Sequence, residues 1–235
     1  MADPVCAIVG VGPGNGAAFD RAFRGQGYRT ALLARRDEVI ASLAAEAGSG
    51  AALALVCDAT VEDQVADAFA RVRAKLGPVE VLIYNAGSGR GGSIEDADAT
   101  DLEAAWRTNV LGCFQAVRQV LPDMLELGAG TIVIIGATAA LRGRAQTLAF
   151  ASAKAAQRSL AQSMARHLGP KGIHVAYVVI DGVIDLQQTR QAMPDKADDF
   201  FLKPEDIAAS VLALTRQPRS AWSFEIDLRP YGESW

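Results

Sequence analysis

Val5-Cys6-Ala7-Ile8-Val9-Gly10-Val11-Gly12-Pro13-Gly14-Asn15-Gly16-Ala17 decides the fold. Five apolar, largely β-branched residues read as a buried strand. Glycines at 10, 12, 14 and 16 break that run, and a segment of helical composition, Gly16–Gln26, follows. A glycine turn between a strand and a helix lets the backbone approach a phosphate closely. The N–H groups at the helix start then favour the negative charge. Two registers fit. Gly12-Pro13-Gly14-Asn15-Gly16-Ala17 matches G-x-G-x-x-G/A, and Gly10, Gly14 and Gly16 match G-x-x-x-G-x-G. Either one predicts a nucleotide-holding turn.

Working outward, the same alternation recurs along the chain. Short apolar runs stand at Val5–Val9, Arg29–Leu33, Ala51–Val56, Val79–Tyr84, Thr131–Ile135, Ile173–Ile180 and Phe224–Leu228. They are continuous rather than alternating, as expected of parallel strands covered on both faces. Between them, Gly16–Gln26, Asp37–Ala47, Val61–Leu76, Asp101–Leu127, Ala149–Leu168 and Pro204–Arg216 have helical composition. The pattern predicts a single α/β domain over residues 1–235. It is a Rossmann-type, doubly wound parallel sheet of about seven strands with helices on both faces. Leu186–Lys203 lacks a period and contains Met193-Pro194-Asp195, and it is expected to be a mobile flap beside the site.

Composition narrows the function classes. The 235 residues are 50% hydrophobic and 21% charged, with a net charge of −4, which speaks against nucleic-acid or anionic-membrane binding. No apolar run reaches the roughly 18 residues of a membrane helix. Asp3 and Pro4 stand where a signal peptide would be basic. Cys6, Cys57 and Cys113 are scattered in apolar surroundings, as free thiols of a reducing cytoplasm are. His167 and His174 form no ligand-spaced pair, so no metal site is expected.

The end of the second strand bears on the cofactor. An acid there would bind a ribose 2′-hydroxyl, whereas arginine pairs with a 2′-phosphate. Leu33-Ala34-Arg35-Arg36 carries no acid before its arginines, so NADP(H) is favoured over NAD(H).

With these residues in view, the chain resembles the short-chain dehydrogenase/reductase family over essentially its whole length. The resemblance rests on the G-x-x-x-G-x-G register, Cys57-Asp58, Asn85-Ala86-Gly87, Thr108-Asn109-Val110 and Ala153-Lys154-Ala155-Ala156. It implies that Gly10, Gly12, Gly14, Asn15, Gly16, Asp58, Ala59, Asn85, Ala86, Gly87, Gly182 and Ile184 lie against a dinucleotide. It also implies that Asn109 and Lys154 belong to the catalytic set, with Lys154 holding the nicotinamide ribose. Assembly as a homodimer or homotetramer through Asp101–Leu127 and Ala149–Leu168 is implied as well.

The departures fall on the chemistry. The family's Tyr, four residues before the Lys, is Phe150 here. Its Ser, thirteen residues earlier, is Ala137, and Asp181-Gly182 replaces Pro-Gly after the sixth strand. A divergent branch with Phe for Tyr, Gly-Ala-Thr, Ile-Asp-Gly and a C-terminal Ser-Ala-Trp…Arg-Pro is similar at Gly136–Thr138, Phe150–Lys154, Ile180–Gly182 and Ser220–Pro230. Thr138, Asp181 or a water on Asn109 are the candidate proton sources. Arg142 and Arg144 are expected to be solvated, and His174 to be a core histidine. Two functions follow. One is an NADP(H)-dependent oxidoreductase of a small carbonyl or alcohol with altered proton delivery. The other is a silent NADP(H)-binding pseudoenzyme acting as a sensor or through partners.

Overall fold

The computed structural model describes residues 3–232. Seven strands form one parallel sheet: β1 Val5–Val9, β2 Arg29–Ala34, β3 Ala52–Val56, β4 Val81–Tyr84, β5 Gly130–Ile135, β6 Ile173–Ile180 and β9 Glu225–Leu228. Their order is β3-β2-β1-β4-β5-β6-β9, so the winding reverses between β1 and β4. The fold and strand count match the sequence reading. The strand bounds shift by at most two residues.

Both faces of the sheet are buried, as continuous apolar strands require. Val5, Ala7 and Val9 join one core layer, with Phe69 of α3 (Glu62–Lys75), Val117 of α5 (Gly112–Leu127) and Ala161 of α6 (Leu148–Leu168). Cys6 and Ile8 join the other layer, with Phe23 of α1 (Asn15–Arg24), Ile40 of α2 (Asp37–Ala47) and Val211 of α8 (Pro204–Thr215). Every residue of β6 is buried, His174 included. Its Nε2 lies 2.8 Å from the Ser223 carbonyl, and its ring stacks on Trp222.

Two elements differ from expectation. Asp101–Leu127 is not one continuous helix. It is α4 (Ala99–Trp106), a π-helical turn (Arg107–Leu111) and α5. The cause is local. Asn109 is buried, and its Nδ2 donates to the Ala105 carbonyl, breaking into the helical ladder. The carbonyls that this turn releases find side chains: Tyr84 Oη donates to Thr108 and Gln157 Nε2 to Asn109.

The segment expected to be a mobile flap, which shows no period in sequence, holds α7 (Gln187–Ala192) and β8 (Phe201–Leu202), which pairs in parallel with β7 (Val183–Ile184) as a separate two-stranded sheet. Strands of two residues leave no periodic signal. Arg190 pins the segment through Asp185 and Asp198 and stacks on Phe201, 4.1 Å from the ring centroid.

Candidate active site

At the reversal between β1 and β4 a cleft of about 1050 Å³ opens over the C-terminal strand ends. That is at the upper end of the size of small-molecule sites. Its floor is the glycine turn. Gly10 has φ +92°, and a Cβ there would lie 2.3 Å from the Ala86 nitrogen, so the position excludes side chains. Asn85 Nδ2 donates to the Gly10 carbonyl at 2.7 Å, tying the turn to the end of β4. Asn85 therefore shapes the turn from the side. α1 begins at Asn15 with no side-chain cap, and the Asn15 Oδ1 atom is buried without a partner. Uncapped helix N–H groups at the cleft floor suit a phosphate-bearing ligand.

Arg35 and Arg36 line the other end, exposed, and neither has an ion-pair partner among the described residues. Asp58 and Ala59 line the cleft beyond β3. Asp58 Oδ1 accepts from the Thr60 backbone N–H and hydroxyl, which leaves Oδ2 for a ligand. Ile184 and Leu186 close the opposite wall, and Leu186 occupies the space beside the Gly14 Cα. Of the dinucleotide contacts implied by sequence, all but Lys154 and Gly182 line this cleft.

The residues expected to do chemistry lie behind the cleft in two groups. In the first, Lys154 is buried. Its Nζ donates to the Ile135 carbonyl (2.9 Å) and to Gln157 Oε1 (3.0 Å). Burial lowers its pKa from 10.5 to about 8, offset slightly by Cys113. Asn109 is fully buried; its Nδ2 donates to Ser88 and Ala105, and its Oδ1 has no partner. The Phe150 ring packs on Gly89, where a Cβ would lie 2.3 Å from it, and the Lys154 ammonium is 5.8 Å from its centroid.

In the second group, Thr138 Oγ1 donates to Asp181 Oδ1 at 2.5 Å and to the Ile180 carbonyl at 3.2 Å. Asp181 is buried, and it pairs with Arg229 at 3.2 Å. Arg142, expected only to meet water, stands 4.0 Å from the same carboxylate. Ala137 brings no hydroxyl to this group. Its backbone N–H instead supports the Tyr177 hydroxyl, whose pKa burial pushes up.

Sequence reasoning overlooked Gln157 and Leu186. Gln157 carried a usable signal, being a lone amide one turn after Lys154 on an otherwise alanine-rich helix face. Leu186 carried none, because its contact with Gly14 is made across the chain.

Comparison with known proteins identifies the scaffold. The short chain dehydrogenase family model matches residues 4–197. The chain belongs to the short-chain dehydrogenase/reductase family. A solved short-chain dehydrogenase from Rhodopseudomonas palustris is 33% identical, with TM-score 0.82, covering 98% of this chain and 100% of that one. A metagenomic short-chain oxidoreductase in complex with NADP is 26% identical, with TM-score 0.84 and 99% of each chain covered. Carbonyl reductase family member 4 of Xenopus tropicalis is 29% identical over 219 residues, 91% of this chain and 92% of its own.

Proposed function

We propose that this short-chain dehydrogenase/reductase is an NADP(H)-dependent oxidoreductase of a small carbonyl or alcohol, with proton delivery unlike its family's. The observation that carries the reading is the cleft itself. It runs from two arginines without an ion-pair partner among the described residues, past an uncapped helix start, to Gly87. Arg35 and Arg36 bind the 2′-phosphate, and the turn from Gly10 to Gly16 takes the pyrophosphate. The likeness to an NADP complex and to a carbonyl reductase supports the same choice. The three free cysteines are buried, which favours the cytoplasm as compartment.

The bound cofactor supplies the hydride, and the chain supplies position and a proton route. Phe150 has no proton to give. At the ends of β5 and β6, Thr138 and Asp181 form a hydroxyl–carboxylate pair. As the hydride arrives, Thr138 turns its single proton from Asp181 to the substrate oxygen and takes its replacement from solvent, while Asp181, anchored by Arg229, holds the hydroxyl in place.

Titration calorimetry with NADPH and NADH tests the cofactor assignment. NADPH is expected to bind more tightly, and no heat from either at millimolar concentration sinks it. NADPH oxidation with a panel of ketones, aldehydes and quinones tests the chemistry. Thr138→Val is expected to lower turnover about 10²–10⁴-fold with NADPH binding intact. A second reading, a silent NADP(H)-binding protein, is favoured by the Phe150 ring filling the space over Gly89. No turnover by the wild type, and turnover gained by Phe150→Tyr with Ala137→Ser, would select it.

A further inference from the structure

Behind Gly87 three side chains form a polar knot inside an apolar helix pair. Gln157 is fully buried on α6. Its Oε1 accepts from Lys154 Nζ at 3.0 Å, and its Nε2 donates to the Asn109 backbone carbonyl at 2.7 Å. The amide can sit only one way round, since an ammonium has no lone pair and a carbonyl has no proton. That carbonyl is one of those released by the π-helical turn. The bridge thus joins α6 to the turn at the point where both approach the cleft.

Two valences in the knot are unspent. Lys154 uses two of its three N–H donors on Ile135 and Gln157. Asn109 Oδ1 has no partner, although it is buried. Both face Gly87, where a Cβ would lie 3.4 Å from Oδ1 and 3.6 Å from Nζ. Gly87 lines the cleft. A donor and an acceptor converging on a side-chain-free position suit one hydroxyl, which both accepts and donates.

We propose that Gln157 is a positioning residue. Its amide bridges Lys154 and the Asn109 carbonyl, and so holds the ammonium beneath Gly87 as half of a donor–acceptor pair for a ribose hydroxyl of the cofactor. The proposal rests on the NADP(H) reading. The other ionisable groups packed against Lys154 are Cys113 of α5 and Tyr177 of β6, whose hydroxyl donates to the Lys154 carbonyl. Burial pushes the Cys113 thiol up to about 12 and the Tyr177 phenol up as well, so both stay neutral. No carboxylate is hydrogen-bonded to Lys154 among the described residues. The ammonium therefore depends on neutral acceptors, and the residue at 157 governs how firmly it keeps its charge.

The test is NADPH affinity from pH 6.5 to 10 for wild type, Gln157→Glu and Gln157→Met. Wild-type affinity is expected to fall severalfold as pH rises through about 8, where Lys154 loses its charge. Gln157→Glu should move that fall upward by about one pH unit or more, because a carboxylate favours the ammonium. Gln157→Met should move it downward and weaken binding at neutral pH. Gln157→Met carries the test alone if the Glu variant does not fold. Uniform weakening with an unmoved midpoint would show that Gln157 only packs and would overturn the bridge while leaving the cofactor reading intact. No NADPH binding by the wild type at any pH overturns both.

Discussion

Lys154 shows how one side chain links stability to pH. Its ammonium is buried with only neutral partners, and its pKa falls from 10.5 to about 8. Between those values the unfolded chain binds more protons than the folded one, so stability rises with pH across the interval. Below pH 8 both states are protonated and the cost of burying the charge is fully present. The melting temperature of the wild type should therefore rise relative to Lys154→Met between pH 8 and 10. Parallel curves over that range would mean that the charge is solvated. At this scale the sequence announced the glycines and arginines of the cleft, because their chemistry depends on local spacing. It could not show that Lys154 is buried just behind the cleft wall at Gly87 rather than lining it. That follows from Ile135 and Gln157 competing for its protons.

Elements were legible where burial on both faces left an uninterrupted apolar run. β1 and β6 fall on the expected residues, and α2 does too. The break between α4 and α5 was hidden, because the asparagine that opens the ladder at Ala105 is turned inward by tertiary burial, its amide also donating to Ser88. Element packing also explains Gly136, which follows β5. A Cβ there would come within 2.2 Å of the Tyr177 ring, which β6 holds fully buried. Gly136→Ala must displace that ring or the strand. It is expected to destabilise the fold by about 1–3 kcal/mol, as overpacked cores do. Chemical denaturation measures this directly, and an unchanged midpoint would show that the ring can shift freely. The same crowding keeps the end of β5 close to β6, where Thr138 meets Asp181.

The whole molecule leaves large apolar side chains in solvent along α4 and α5. Leu102, Trp106 and Phe114 are 39%, 46% and 47% exposed. This is the surface on which assembly was anticipated, and clustered exposed apolar groups mark association sites. Light scattering at micromolar concentration should report at least a dimer. Trp106→Lys together with Phe114→Lys should shift it toward monomer with the fold intact. A monomeric wild type would refute this. Architecture was readable at this scale, since seven covered strands allow few other arrangements. The excursion between β6 and β8 was not, because its contacts are tertiary. Its Leu186 fills the space beside the Gly14 Cα, and Arg190 clamps its helix with two carboxylates. On the proposed reading, a leucine seated there would stand as a turnstile beside the turn that takes the pyrophosphate, passed by a nucleotide on arrival and again on departure. The tempo of exchange would then be set by that side chain rather than by how strongly the phosphates are gripped.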